Sequence, residues 1–190
     1  KFHSIFSNYR RFRGDYYYSI PDFLINYGRP IKDDSDYSCQ KIRLGKKELN
    51  IYYITHHLCH AANAFYPSPF KKSAILTADG AGEDDTVNFL VGGNNKIKLL
   101  KRLKIPHSTG SFYSTFTEFF GFKPDADEWK VMALSAYGSR NNKYYKVIKN
   151  MIDLGVDGSF ELNQLYFKQH NVTMPNFYTE SFIKLLGNPK

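Results

Sequence analysis

The sequence predicts an α/β fold, with helices packed on a mixed sheet, and three observations carry that prediction. First, residues 49–54 form a compact apolar run that feeds straight into an alanine-rich stretch of helical character, and a second apolar run follows at 73–78. That order is strand, helix, strand, a crossover that suggests a parallel neighbour. Second, Gly92-Gly93-Asn94-Asn95 separates two strand-like segments, and such a glycine-asparagine turn joins antiparallel strands. Third, from about residue 111 the apolar spacing changes to that of helices.

Residues 1–48 read as an irregular N-terminal segment of the domain. Tyr16-Tyr17-Tyr18 and the run from Ile20 to Leu24 suggest a short strand or turn and then a short helix, and residues 32–36 form a polar loop. Residues 49–190 read as the domain core. The helix that begins at His56 is closed by Pro67 and Pro69. The strand at 73–78 ends at a loop, Asp79-Gly80-Ala81-Gly82-Glu83, and a third strand covers 86–91. Residues 96–105 alternate cations with apolar residues for part of their length, as a half-exposed strand does. Helices are expected at 111–120 and 127–137, broken between them by Gly121 and Pro124. A third is expected at 141–154, with Tyr145, Ile148, Met151 and Ile152 as its apolar stripe. Residues 158–167 suggest a small hairpin, and a last helix at 179–186 is stopped by Gly187 and Pro189.

A chain of 190 residues suits one domain or a pair of small lobes. It begins at Lys1 without an initiator Met or an export signal, and so reads as processed or as a piece of a longer protein. No apolar run reaches the length of a membrane span. Two cysteines, Cys39 and Cys59, make no disulfide framework, so a reducing cytoplasm is the expected location. The net charge of +8 is compatible with nucleic acid or with small anionic ligands. Along the chain the charge is scattered, with no dense basic block, which favours the small anion over nucleic acid. The 15 Tyr and 16 Phe are also spread throughout, so they read as core and not as a stacking platform.

The most informative stretch is His56-His57-Leu58-Cys59-His60-Ala61-Ala62. On a helix His56 and His60 project from one face, one turn apart. Neutral imidazole is a common metal ligand, and this spacing lets one helix offer two ligands to one ion. The zinc-protease pattern needs Glu at position 57, where His57 stands, so that chemistry loses its general base. Two imidazoles are too few for a tight site, and a third donor must come from elsewhere. The loop Asp79-Gly80-Ala81-Gly82 follows a buried strand, and its glycines would let backbone amides approach a phosphate. It lacks the lysine and following helix of a Walker loop. Gly110 and Ser111 open a helix, whose N-terminus can receive an anion or simply be capped. Lys130 lies beside an apolar helix and could meet a phosphate, but the pattern alone favours a solvated helix start with Trp129 and Met132 as buried packing.

Each motif is weak singly, but the ordered set is specific. The run from His56 to Phe70, then Ala74 to Glu83, then Gly110 to Phe122, then Asp127 to Gly138 resembles the O-carbamoyltransferase family of nodulation-factor and antibiotic biosynthesis (the NodU/CmcH type). The resemblance is strongest over residues 49–138. It implies an actin-like ATPase (ASKHA) domain related to threonylcarbamoyl-tRNA transferases. It also implies a larger parent protein with more of this domain and a YrdC-like domain beyond it. The implied activity uses carbamoyl phosphate and ATP to form carbamoyl-adenylate, then moves the carbamoyl group to an acceptor hydroxyl.

By position, the resemblance makes His56 and His60 ligands of a divalent metal, Fe2+ first, with a further aspartate ligand C-terminal of residue 190. It places Asp79, Gly80 and Gly82 at the phosphate-side hairpin of the nucleotide cleft, and Gly110, Ser111 and Lys130 along its lining. His57 is the nearest group to assist the acceptor hydroxyl, and a buried structural role fits it as well. The sequence departs from the family at Trp129, where Tyr is common, and at Ser135-Ala136, where Ala-Pro is common. Two other readings compete. One is a non-catalytic fragment that binds nucleotide or metal. The other is a basic, aromatic nucleic-acid-binding module.

Overall fold

The computed structural model describes residues 37–82, 85–168 and 177–190. Their elements, in chain order, are β1 (Tyr37–Leu44), β2 (Lys47–Ile54), α1 (His56–Phe65), β3 (Lys72–Gly82), β4 (Asp85–Gly93) and β5 (Lys96–Lys104). There follow α2 (Thr109–Phe119), α3 (Glu128–Ser135), α4 (Lys143–Lys149), β6 (Ile152–Leu154), β7 (Phe160–Leu162) and α5 (Glu180–Leu186). The protein is thus of mixed α/β type, with antiparallel sheets and five helices among the described residues, consistent with an ASKHA-like domain.

β1 and β2 form a hairpin in which Tyr37 lies opposite Ile54 and Leu44 opposite Lys47. β3, β4 and β5 form a three-stranded sheet in that order. The β4–β5 turn is made at Asn94 and Asn95, both at positive φ (52° and 55°), the backbone that a two-residue hairpin of this twist requires. β6 and β7 form a third, short antiparallel pair.

By its internal packing the chain divides into two compact units. Of the described residues, one unit takes 37–77 and 87–102, and the other takes 78–86 and 103–190. The first has a small core of Ala61, Phe65, Ile75 and Leu90, with Ile97 and Leu99 packed against it. Gly92 lets the strand pass close to the Phe65 ring, which a Cβ at that position would approach to 2.6 Å. The second unit has a larger, aromatic core of Phe116, Phe119, Met151, Leu162, Phe167 and Phe182. Phe182 lies at its centre, with ring centroids of Phe119 at 5.1 Å, Phe116 at 5.2 Å and Tyr178 at 5.6 Å.

Four expectations change. Residues 37–48, read as irregular, form β1 and the start of β2. The parallel neighbour expected from the β2–α1–β3 crossover is absent among the described residues, because β2 pairs with β1 while β3 pairs with β4. Asp79-Gly80-Ala81-Gly82 is not a loop but the last part of β3. The helix expected over 141–154 ends at Lys149, with Asn150 as its cap. There the chain turns so that Met151 becomes fully buried and Ile152 pairs with Leu162 in β6–β7. A buried side chain and a strand partner outweigh continued helical spacing. The tyrosine run at 16–18, the short helix near 20–24, the polar loop at 32–36 and Glu83 and Asp84 lie outside the described residues.

Candidate functional site

The helix α1 sorts its histidines by angle. At 100° per residue, His57, Ala61 and Phe65 fall on one stripe, and these are the buried residues of the helix. His56 and His60 fall on the adjoining stripe, which that burial leaves accessible. Their Nε2 atoms lie 3.0 Å apart, with ring centroids 4.5 Å apart and planes at 83°. Two nitrogens each about 2.0–2.1 Å from one ion and at right angles around it stand about 3 Å apart. The observed spacing therefore fits a shared ion as well as a direct N–H···N hydrogen bond.

His57 is only 1 % exposed, and its Nδ1 lies 2.7 Å from the Thr77 hydroxyl on β3. The ring expected to assist an acceptor hydroxyl is therefore committed to the interior, where it ties α1 to β3. Thr77 was missed in the sequence, although the alternation of β3 carries its signal. Ser73, Ile75, Thr77 and Asp79 occupy one phase of the strand, opposite the exposed Ala74, Leu76 and Ala78.

Within the second unit, Asp79, Gly80, Gly110 and Ser111 are brought together by Ser108. Ser108 is buried, and its hydroxyl lies 2.7 Å from the Gly80 carbonyl oxygen and 3.1 Å from that of Asp79. The same hydroxyl accepts the Ser111 N–H at 3.0 Å, capping α2. The Gly80 N–H in turn donates to Asp79 Oδ1 at 2.7 Å. Gly110 allows the helix start to meet the strand, since a Cβ there would stand 2.6 Å from the Gly80 nitrogen. Gly82 is buried at the end of β3.

Lys130 lies apart from this junction in its contacts. Its Nζ pairs with Asp127 at 2.9 Å and sits over the Phe122 and Trp129 rings at 5.6 and 5.5 Å. The Asp127 carboxyl is held below the usual carboxylate range, first by its hydrogen bond to Lys130 and then by the Lys123 N–H. Trp129 and Met132, expected as buried packing, are each 63 % exposed. Nearby, the Ser114 hydroxyl and the Asp125 N–H both donate to Glu128 Oε1, at 2.9 and 2.7 Å. Partial burial, and then the Glu128 charge, push the Tyr113 phenol above its ordinary value.

No helix among the described residues is long and apolar enough to cross a membrane. The family model described as carbamoyltransferase N-terminus matches residues 12–188. The uncharacterized protein sll1178 of Synechocystis sp. is 42 % identical over 137 residues, 71 % of this chain and 22 % of its own length. The nodulation protein NolNO of Sinorhizobium fredii is 38 % identical over 88 residues, covering 46 % of this chain and 13 % of that protein. NolO of Bradyrhizobium diazoefficiens is 29 % identical over 110 residues, covering 58 % and 20 %. The chain thus spans about a fifth of the length of the curated relatives it matches. With the family model covering nearly every residue, this chain belongs to the carbamoyltransferase family, in the region of that family's N-terminal domain.

Proposed function

We propose that the protein serves an ATP- and carbamoyl-phosphate-dependent O-carbamoyltransferase, which passes the carbamoyl group of carbamoyl-adenylate to an acceptor hydroxyl. The observation that carries this reading is the pair of Nε2 atoms held 3.0 Å apart on α1, within a chain of this family. His56 and His60 would supply two ligands to a divalent ion, Fe2+ first. The family resemblance puts a further oxygen donor, an aspartate, beyond residue 190. The donor set of two imidazoles and a carboxylate suits a first-row divalent metal with open positions. When bound, such an ion acts as a Lewis acid toward a carbonyl or phosphoryl oxygen.

The chain's own residues would do the rest. His57, buried against Thr77, fixes the rotation of α1 and so aims His56 and His60 outward. The junction of Gly80, Gly110 and Ser111 holds backbone amides and a helix N-terminus beside Asp79, where the phosphate side of an adenylate would lie. In the transfer the acceptor oxygen bonds to the carbamoyl carbon, the acyl–phosphate C–O bond breaks, and AMP leaves with that electron pair. The proton of the acceptor hydroxyl is released to solvent in the same step, which balances the charge on the departing AMP. The acceptor is a hydroxyl-bearing small molecule or saccharide, and a YrdC-like domain of the same polypeptide would make the adenylate.

Cobalt(II) titration tests the metal part. His56→Ala and His60→Ala should each weaken Co2+ binding by at least about tenfold, the loss of one of the two imidazole ligands. Unchanged Co2+ affinity in both variants would remove the site. Carbamoyl transfer itself is read by mass spectrometry of acceptor alcohols incubated with ATP, carbamoyl phosphate and the family-length protein. Formation of AMP and a carbamate ester supports the reaction, and metal binding without either product leaves the non-catalytic reading.

A further inference from the structure

We propose that α3 and the turn after it form a docking face for polypeptide of the family-length protein outside these 190 residues, and that the surface received there is apolar with an acidic margin. This rests on membership of the family and not on the carbamoyl chemistry. A helix on the surface of a globular protein confines its apolar residues to one stripe. On α3, Trp129 is followed by the run Val131-Met132-Ala133-Leu134, and at 100° per residue that run points in every direction around the axis. A helix apolar all round belongs in an interior. Yet α3 has no buried residue, and Met132, Leu134 and Tyr137 are 63, 46 and 90 % exposed.

The exposed segment is held in shape. The N–H groups of Ala136, Tyr137 and Gly138 donate in succession to the carbonyls of Ala133, Leu134 and Ser135, at 3.2, 3.0 and 3.0 Å. The backbone therefore coils on past α3 and carries Tyr137 with it. A single exposed leucine needs no explanation, but an ordered run of large apolar side chains does.

Charge sets what fits this face. Residues 131–139 carry no charged side chain, Arg140, Lys143, Lys146 and Lys149 follow, and no acid stands between Glu128 and Asp153. Arg140, Lys143 and Lys146 are exposed, as are Tyr144 and Tyr145. A complementary surface is apolar opposite Met132, Leu134 and Tyr137 and acidic beyond them. A second copy of this segment would set cations against cations, which disfavours self-pairing. This chain spans about a fifth of its curated relatives, so family-length protein carries ample further polypeptide to supply such a surface. Polypeptide tethered in the same chain also docks at high effective concentration.

The test is maleimide labelling of Met132→Cys and Tyr137→Cys, read on the labelled peptide by mass spectrometry. Glu180→Cys, at an exposed position on α5, is the uncovered reference. Substitution at exposed positions leaves the fold intact. All three should react alike in the 190-residue chain. In the family-length protein, Met132→Cys and Tyr137→Cys should react at least about tenfold more slowly than Glu180→Cys, the protection that a docked surface gives. Adding Arg140→Glu and Lys143→Glu there should recover part of the lost rate.

Equal rates for all three sites in the family-length protein would overturn the proposal. Slow labelling at 132 and 137 in the 190-residue chain overturns it too. If that slowing is independent of concentration, the chain covers α3 itself, and if it appears only at high concentration, a second copy does. Rates unmoved by the two charge reversals overturn the acidic margin.

Discussion

The two units of this chain are built on different physical terms. In the unit of residues 37–77 and 87–102, ten described lysines and arginines stand against one acidic residue, Glu48. In the unit of 78–86 and 103–190, the described cations and acids number ten each. The first has a core of four buried apolar residues, one of them aromatic. The second has six, four of them phenylalanines in edge or tilted contact. Charge that looks scattered along the sequence is therefore concentrated in space. The neutral unit relies on its aromatic core and on carboxylates tied to backbone. The cationic unit presents two histidines from a thin core and a field suited to anionic molecules.

The largest effect that could break this comparison is in the cores. Phe182→Ala should cost about 3–5 kcal/mol in denaturant unfolding, toward the upper end because the ring is fully buried among other rings. Phe65→Ala should fall at or below the lower end, since fewer buried side chains surround it. Equal losses would mean that the two cores are equivalent. Glycine substitutions come next. Gly110→Ala meets backbone at Gly80 and should cost about 1–3 kcal/mol, whereas Gly92→Ala meets only a Phe65 ring that can shift. If Gly92→Ala were the costlier change, the Asp79–Ser108 junction would be less rigid than its contacts indicate.

The charge difference predicts a smaller effect. Lys71→Glu with Lys72→Glu should lower the salt needed to elute the chain from a heparin column. Lys143→Glu with Lys146→Glu, in the neutral unit, should lower it less. The smallest effect concerns pH. The Asp127 carboxyl is depressed in the folded chain, so its bonds stabilise above the unfolded carboxylate value. That contribution fades as pH falls through the depressed folded value. Asp127→Asn should slightly flatten the acid limb of unfolding, and only slightly because the group stays partly open to solvent. A large change would show that acid sensitivity resides at the α3 start and not across the neutral unit.

Much of the fold was legible. The apolar run of β3, the alternation in β5, the Asn94-Asn95 turn, α1 and α2 all follow from local pattern, where residue pattern and backbone propensity agree. The failures lie where long-range partners override it. β6 leaves a helical pattern because Met151 finds a core and Ile152 a strand partner. The glycines at 80 and 82 look like a loop but lie in β3. Trp129 looks like packing and is exposed.

By itself the sequence determined the family, the α/β class and the placing of His56 and His60 on one helix stripe. These depend on residue order and on a helical period that needs no partner. Only the tertiary structure decided that His57 turns inward to Thr77. It alone joined Ser108 to Asp79 across 29 positions, and it gathered nearly all the described acidic residues into one unit, leaving the other cationic. Such pairings arise from which strand passes beneath which helix, and a linear pattern carries no record of the distance between residues far apart along the chain.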